Sequence, residues 1–202
     1  MTEVLVPRSR LARWVENFQE RHGDVALVVR DGAFAGAAAD GSTFEARLPL
    51  DAAYDGAPDV DAFAAAMVPD REWGVLLVRK GGFAVARLQA AELVDHKIGQ
   101  RHVQGRTKAG GQSQQRFARR RDNQARRAYE AAADHAVRLL GATALPVVTG
   151  GDHAAVDDVL ADPRLRKLAR VGPWLPVPDP RRAVLDAAVA DALSARVDVV
   201  NA

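Results

Sequence analysis

Apolar and polar positions at the start of the chain follow two successive periods, and the first is helical. Leu11, Trp14, Val15 and Phe18 are spaced as i, i+3, i+4 and i+7, which is one face of an amphipathic helix. Ser9 is suited to cap this helix, and the pattern stops near residue 23. We therefore predict an N-terminal helix whose apolar stripe belongs to the core.

The period then changes to that of short strands. Strands are predicted at residues 25–29, 34–39 and 43–48. An Asp-Gly dipeptide in each gap is suited to a tight turn. A short helix is predicted at residues 59–67, and Pro69 closes the segment. Residues 1–70 are thus predicted to form an N-terminal extension made of a helix and a β-meander.

A second series of elements begins at Trp73. Strands are predicted at residues 75–79, 83–88 and 92–98, with a tight turn at Lys80-Gly81-Gly82. Residues 99–111 hold four glycines and no apolar period, which predicts a loop of a length that is usually functional or disordered. Ser113 is suited to cap a helix that runs to Leu140 and ends at Gly141.

The remaining elements alternate between strands and helices. They are predicted as a strand at residues 145–149, a turn at Gly150-Gly151, a helix at residues 154–160, a strand in the stretch that ends at Trp174, and a last helix that starts at Asp179-Pro180. Three antiparallel strands followed by helix, strand, helix, strand and helix is the element order of a ribonuclease-H-like core. We predict an α/β fold with an α+β mixed sheet for a domain covering residues 71–202.

The distribution of charge changes this picture more than the total does. The formal net charge of the chain is only +2. Between His96 and Arg127, however, ten Lys or Arg residues and one acid give +9, whereas the rest of the chain carries −7. A basic block on an otherwise acidic protein is expected of a surface that meets a polyanion. The alternative is a solvated helix face, which the repulsion of like charges at helical spacing disfavours.

Composition excludes several kinds of chemistry. A chain of 202 residues with 48% apolar residues can bury a substantial core. The chain has no cysteine, which excludes disulfides, thiolate metal sites and a cysteine nucleophile and suits a reducing compartment. No apolar run approaches membrane-spanning length, and the N-terminus lacks the pattern of a signal peptide. We therefore expect a cytoplasmic protein.

The predicted loop carries the main candidate for chemistry, the tripeptide Gly110-Gly111-Gln112. Paired glycines permit backbone angles closed to other residues and let the chain approach another backbone closely. A glutamine amide donates and accepts hydrogen bonds but is not a strong base. Its chemistry would be the positioning of a water near an electrophile such as an activated ester. A flexible turn with a solvated glutamine is the alternative.

Residues 105–125, GRTKAGGQSQQRFARRRDNQA, resemble the actinobacterial peptidyl-tRNA hydrolases of the release-factor type. That family is related to the eukaryotic quality-control tRNA hydrolase and to the catalytic middle domain of eukaryotic and archaeal class-one release factors. The resemblance is sharpest from His96 to Arg127 and extends more loosely from Trp73 to the C-terminus. It implies hydrolysis of the ester between a nascent peptide and tRNA, in codon-independent ribosome rescue or quality control.

The resemblance also implies roles for individual residues. Gly110 and Gly111 would let the loop enter the peptidyl-transferase region of a large ribosomal subunit, and the amide of Gln112, Gln114 or Gln115 would position the water. Together with the charge pattern, it assigns the binding of tRNA or ribosomal RNA phosphates to Arg101, Arg106, Lys108, Arg116, Arg119, Arg120, Arg121, Asn123, Arg126 and Arg127. Neither a metal nor a cofactor is implied.

Two other functions compete with hydrolysis of peptidyl-tRNA. Two-metal nucleases of a ribonuclease-H-like fold need several converging carboxylates, and here only Asp95 and Asp152 are candidates. The histidines show no metal-ligand spacing with one another or with acids. The stronger alternative is a non-catalytic ribosome- or RNA-binding factor that uses the same basic block, for which the glutamines would be dispensable.

Overall fold

The computed structural model describes the backbone of residues 1–100, 112–141 and 143–202, and the side chains of these residues except 112–125. The chain divides into two compact units. Unit 1 comprises Met1–Arg71, Val171–Pro173 and Val189–Ala202, and unit 2 comprises Glu72–Arg170 and Trp174–Ala188. The strands form two five-stranded sheets, so the fold is a mixture of α and β elements, as predicted.

Helices and strands are interspersed along the chain. In order they are β1 (Thr2–Val6), α1 (Leu11–His22), β2 (Val25–Arg30), β3 (Ala33–Ala38), β4 (Thr43–Arg47), α2 (Val60–Ala66), β5 (Glu72–Arg79), β6 (Gly82–Gln89), β7 (Glu92–Gln100), α3 (Gln112–Leu140), β8 (Pro146–Gly151), α4 (His153–Leu160), β9 (Ala169–Leu175), α5 (Arg182–Ala192) and β10 (Ala195–Val200). Short 3-10 turns occur at Arg8–Arg10, Pro49–Asp51 and Pro163–Leu165.

The sheet of unit 1 has the order β1-β10-β4-β3-β2 and is antiparallel throughout. The predicted meander of β2, β3 and β4 is confirmed, and the Asp-Gly turns separate its strands. The sequence prediction did not include β1 or β10, which pair with each other through Val4 and Val197. The core of unit 1 is rich in aromatic rings, with Phe18 and Phe44 packed edge to face at 5.2 Å.

Helix α1 starts and stops for different local reasons. The prediction that Ser9 caps it is wrong, because Ser9 lies within the 3-10 turn Arg8–Arg10 and the helix follows Arg10 without a side-chain cap. At the other end Gly23 has a φ of +86°, which favours glycine, and its N–H donates to the carbonyl of Gln19 over 2.8 Å. The apolar stripe was predicted correctly, since Leu11, Val15 and Phe18 are buried.

The sheet of unit 2 has the order β7-β6-β5-β8-β9. Strands β5, β6 and β7 are antiparallel neighbours, and β8 runs parallel to β5. Both faces are covered, because Val75 and Leu77 on one face of β5 and Leu76 and Val78 on the other are at most 1% exposed. The order of helices and strands in unit 2 is the one predicted for a ribonuclease-H-like core.

Helix α3 covers one face of this sheet with small side chains. Ala132 and Ala136 are fully buried and share a core with Phe83 and Val85 of β6. A Cβ at Gly74 of β5 would lie 2.8 Å from a methyl carbon of Leu140, so glycine there lets the end of α3 approach the sheet. The helix ends where Gly141 donates its N–H to Val137, as predicted.

Three predicted boundaries in unit 2 are wrong. Strand β7 continues through Gln100, so residues 99 and 100 belong to the sheet and the rest of the predicted loop lies outside the described residues. Strand β8 runs through Gly150 and Gly151, because β5 pairs with both of them. Helix α5 begins at Arg182 instead of Asp179-Pro180, since the carbonyl of Pro180 accepts a hydrogen bond from Gln100.

The C-terminal strand also changes the predicted division of the chain. The first boundary between the units falls between Arg71 and Glu72, next to the predicted one at residue 70. Residues 189–202, which the sequence assigned to a domain covering 71–202, belong to unit 1. The physical reason is the pairing of β10 between β1 and β4 in the first sheet.

Candidate functional site

The described structure contains part of the predicted site. Gly110, Gly111, Arg101, Arg106 and Lys108 lie outside the described residues. Helix α3 begins at Gln112, and its backbone also includes Gln114, Gln115, Arg116, Arg119, Arg120, Arg121 and Asn123. Within the predicted RNA-binding set, side chains are described for Arg126 and Arg127, and both are exposed.

The strand before the predicted loop ends at one edge of the unit 2 sheet. Gln100 is the last residue of β7 and pairs with Gly82, which in turn pairs with Arg79. On the other side of β5, Gly151 of β8 is opposite Val78. We call this the Gln100 edge, formed by Arg79, Gly82, Gln100 and Gly151. The predicted loop therefore follows a residue that is hydrogen-bonded into the sheet.

Glycines allow close packing along the Gln100 edge. Of the predicted turn Lys80-Gly81-Gly82, Lys80 and Gly81 form the turn and Gly82 is the first residue of β6. A Cβ at Gly81 would lie 2.9 Å from the carboxylate of Asp179. A Cβ at Gly82 would lie 2.5 Å from the carbonyl oxygen of Gly99. A larger residue at Gly82 would displace the backbone of Gly99, whereas at Gly81 a shift of the Asp179 side chain would be enough. The turn between β5 and β6 is thus fitted closely to its neighbours.

A groove of about 870 Å³ lies beside α3 in unit 2. It is lined by α3 residues, by residues at and after the end of α4, and by the turn between β5 and β6: Lys80, Arg126, Tyr129, Glu130, Ala133, Asp134, Asp158, Ala161, Asp162 and Arg164. Four of these side chains are acids and three are bases, so the groove has no excess of positive charge. The groove itself is therefore poorly suited to bind phosphate.

An ion-pair network holds one wall of this groove in place. The guanidinium of Arg164 lies 2.7 Å from the carboxylate of Asp134 on α3 and 2.6 Å from that of Asp162. Hydrogen bonds from the side chain and backbone of Arg164 lower the pKa of Asp162 to about 2. Asp162 stays ionised at neutral pH, and Arg164 joins α3 to the turn after α4. The charge of Arg164 is thus paired with two carboxylates of the same chain on the surface of unit 2.

Tyr129 lies in the groove beside Arg126. Its pKa is raised because burial and the nearby carboxylates of Asp152 and Asp158 disfavour the phenolate. The hydroxyl is therefore neutral at physiological pH and acts as a hydrogen-bond donor or acceptor, not as a base. Asp152 itself caps α4, where its carboxylate accepts from the N–H of Ala154 over 3.1 Å.

The described residues do not provide the metal site of a two-metal nuclease. Among them, no group of three or more His, Cys, Asp or Glu side chains is placed to hold a metal ion. The two candidate carboxylates lie far apart, because Asp95 is five residues before Gln100, about 17 Å along β7, whereas Asp152 follows β8 at the Gln100 edge. Asp95 is also paired with Arg138 at 3.3 Å.

Each histidine of unit 2 that the structure describes has a separate environment. The ring nitrogen of His96 lies 3.3 Å from the guanidinium of Arg182. His135 stacks on Phe83 at 5.6 Å, and His153 stacks on Trp174 at 3.5 Å. His102 lies outside the described residues. The three described histidines therefore do not converge on a common site.

The residues that accompany Arg126 on the surface of unit 2 were not predicted from the sequence. Lys80 was predicted only as part of a turn and Tyr129 had no predicted role, yet both line the groove with Arg126. Arg126 and Tyr129 are three residues apart on α3, and this spacing could have predicted that they lie on the same face of the helix. Lys80 is 46 residues earlier in the chain, so that only the packing of α3 beside the β5–β6 turn brings it there.

In a comparison with protein families, a family model matches residues 71–198 and thus more than half of the chain. The matching model is described as that of the Actinobacteria/chloroflexi VLRF1 release factor. The match begins one residue before β5 and includes the predicted loop and all of α3. A comparison with curated proteins gives no significant match. In the part of the chain that the structure describes, no helix is long and apolar enough to span a membrane.

Proposed function

Because the chain belongs to the family of Actinobacteria/chloroflexi VLRF1 release factors, we propose that it is a peptidyl-tRNA hydrolase of ribosome rescue or quality control. Membership itself indicates a release-factor-like function at the ribosome. The single observation that carries the proposal is that the family match encloses Gly110-Gly111-Gln112 together with the basic block from His96 to Arg127. Neither a metal nor a cofactor takes part in the proposed reaction.

The proposed reaction is hydrolysis of the ester between the peptide and the tRNA ribose. The oxygen of a water molecule attacks the carbonyl carbon, and the bond from this carbon to the ribose oxygen breaks. One water proton ends on the ribose oxygen, and the other is released to solvent when the new carboxylic acid ionises. The side-chain amide of Gln112, Gln114 or Gln115 orders the attacking water, which lowers the entropic cost of bringing it to the ester.

The start of α3 at Gln112 supports this assignment. The first backbone N–H groups of an α-helix have no partner within the helix, and its N-terminus carries a partial positive charge. In the transition state, negative charge develops on the carbonyl oxygen of the ester. A helix N-terminus next to the tripeptide would stabilise this charge. The glycines before Gln112 allow the chain to approach the substrate closely.

The basic block supplies the binding part of the proposal. Arg126 and Arg127 are exposed on α3, and we assign them to RNA phosphates together with the basic residues that precede them. Such contacts depend strongly on salt and little on sequence, which suits a factor that acts without a codon. The proposed partners are peptidyl-tRNA and ribosomal RNA, and the proposed place of action is the large subunit.

The proposal is tested by peptide release from two substrates, free peptidyl-tRNA and peptidyl-tRNA bound to the large ribosomal subunit. We expect release by the unmodified protein, and a loss of about 100-fold or more in rate for whichever of Gln112→Ala, Gln114→Ala and Gln115→Ala removes the amide that orders water. Gln89→Ala is the matched control, because Gln89 is an exposed glutamine at the end of β6 away from the Gln100 edge.

Binding of the protein to the ribosome without release from either substrate would refute the proposal. In that case the alternative of a non-catalytic ribosome- or RNA-binding factor would hold. Equal release by all three glutamine variants would instead show that hydrolysis occurs but that no single one of these amides orders the water. The variants also decide among the three glutamines, which the sequence left open.

A further inference from the structure

Unit 1 contains a cavity of about 370 Å³ between α1 and the paired strands β1 and β10. It is lined by Thr2, Val4, Trp14, Asn17, Phe18, Arg21, His22, Val199 and Asn201. This volume lies in the range of small-molecule sites, roughly 300 to 1,000 Å³. The lining comes from both ends of the chain, and none of its residues has a role in the proposed hydrolysis.

The inner wall of the cavity is aromatic. The rings of Trp14 and Phe18 are stacked with an angle of 17° between their planes, and the ring of His22 lies 4.6 Å from that of Phe18. Val4 and Val199 contribute the aliphatic part of the wall. Trp14 is only partly buried, so that it keeps surface available for contact with a flat ring. Aromatic walls of this kind bind unstacked nucleobases in many RNA-binding proteins.

The rim of the cavity is polar and contains no acid. Asn17, Asn201 and Thr2 offer uncharged hydrogen-bonding groups, and Arg21 offers a guanidinium. Arg21 is exposed and forms no ion pair with the residues that the structure describes. A rim with amides and a free guanidinium fits the edge of a base and its phosphate.

The alternation of β1 and β10 explains why acids are absent from this wall. Glu3 and Asp198 are sequence neighbours of lining residues. In the register of the two strands they lie opposite each other, on the face of the sheet away from Val4 and Val199. The carboxylate of Asp40, which is outside the lining, lies 2.8 Å from Nδ1 of the lining residue His22 and is engaged there. A phosphate at the rim would therefore meet Arg21 without a repelling carboxylate in the lining.

We propose that this cavity binds a nucleotide, with the base against Trp14 and the phosphate at Arg21. The ligand is an unstacked nucleotide of an RNA chain or a free nucleotide, which share the same base and phosphate. The proposal goes beyond peptide release, because it gives unit 1 a nucleotide-binding role that does not depend on the glutamines of α3. A protein side chain in the same cavity would need no cation at the rim.

The experiment measures tryptophan fluorescence of the full chain carrying Trp174→Phe, which leaves Trp14 and the fully buried Trp73 as fluorophores. The probes are adenosine 5′-monophosphate, a short oligoadenylate and ribose 5-phosphate. We expect saturable quenching by the first two and none by the third, which lacks a base. Tighter binding of the oligoadenylate identifies RNA as the source of the nucleotide, and equal binding identifies the free nucleotide.

Two variants test the rim, and a third is their control. Arg21→Ala and the isosteric Asn17→Asp are expected to weaken nucleotide binding roughly tenfold, since one loses a charge-assisted contact and the other places a negative charge beside phosphate. Arg13→Ala is the control, because Arg13 is an exposed arginine of α1 that is paired with Glu16 at 3.2 Å and does not line the cavity.

The proposal is overturned if neither adenosine 5′-monophosphate nor the oligoadenylate quenches Trp14 fluorescence, or if Arg13→Ala weakens binding as much as Arg21→Ala. Quenching by N-acetyl-phenylalaninamide without quenching by nucleotides would overturn it in favour of a protein side chain. Peptide release is measured on the same variants. A variant that loses nucleotide binding but keeps release separates this proposal from that of hydrolysis.

Discussion

Replacement of Arg126 and Arg127 by alanine is expected to reduce the salt dependence of RNA binding by a calculable amount. Both side chains are exposed on α3. Each arginine that neutralises one phosphate contributes about 0.7 (single strand) to 0.9 (duplex) to the slope of log affinity against log salt. The double variant should therefore have a slope shallower by about 1.4 to 1.8.

This change in slope corresponds to a measurable change in affinity. Between 50 and 200 mM salt, a slope difference of about 1.4 to 1.8 changes the ratio of the two affinities by roughly 7- to 12-fold. The deficit of the double variant should thus be about tenfold larger at the lower salt concentration. Fluorescence anisotropy with labelled tRNA at four or five salt concentrations measures both slopes directly.

The control for this experiment lies on the same helix. Arg138 is also exposed, but it is paired with Asp95 at 3.3 Å and lies eleven residues after Arg127, about 17 Å along α3. Arg138→Ala should leave the slope unchanged. An unchanged slope in the double variant would show that these arginines do not contact phosphate, and an equal reduction in Arg138→Ala would show that the effect is not specific to them.

Two further predictions concern the packing of α3. Leu140 is 1% exposed, and Leu140→Ala should lower the free energy of unfolding by about 2 to 5 kcal/mol in urea unfolding followed by tryptophan fluorescence. A loss below about 1 kcal/mol would contradict this packing. The pKa of His135 lies below its usual 6.5 because burial and then the charges of Lys97 and Arg138 disfavour protonation. His135 therefore binds a proton more readily in the unfolded chain than in the folded chain. Its contribution to the free energy of unfolding is complete above about pH 6.5 and decreases as the pH falls below that value. His135→Gln should reduce the change in the free energy of unfolding between pH 7.5 and 5.5. An unaltered pH dependence would refute this role.

Local patterns were sufficient to predict elements whose partners are close in the chain. The spacing of Leu11, Val15 and Phe18 fixed the buried face of α1, and the Asp-Gly turns indicated the meander. In unit 2 the three antiparallel strands and the C-terminal end of α3 were predicted for the same reason, whereas α3 begins at Gln112, before its predicted cap Ser113. Each of these elements pairs or packs with its neighbour in sequence, so that short-range signals and tertiary structure agree.

Elements that depend on distant partners were missed or misplaced. Strand β1 is five residues long and pairs with β10, which lies about 190 residues later. β10 alternates between buried and less buried positions, but neither strand is stable without the other and β4. The start of α5 was misplaced because Asp179-Pro180 is a good local start for a helix, whereas packing at the Gln100 edge uses these residues in another way.

The candidate sites differ in how far they could be predicted from the sequence. The tripeptide and the basic block are contiguous in the chain, so that composition and resemblance were enough to propose their chemistry. The groove beside Arg126 joins α3 to a turn 46 residues earlier, and the cavity of unit 1 joins Trp14 to Val199. No local pattern relates such residues, and only the folded chain brings them together.

The position of β10 has a consequence for synthesis of the protein. This strand lies between β1 and β4 in the sheet of unit 1, although it is made after all of unit 2. During translation, unit 2 can complete its hydrogen bonds while β4 still has an open edge and β1 has no strand to join. The N-terminal unit is therefore the last to be finished, and a nascent chain that stalls before residue 195 leaves an unpaired strand edge open to aggregation.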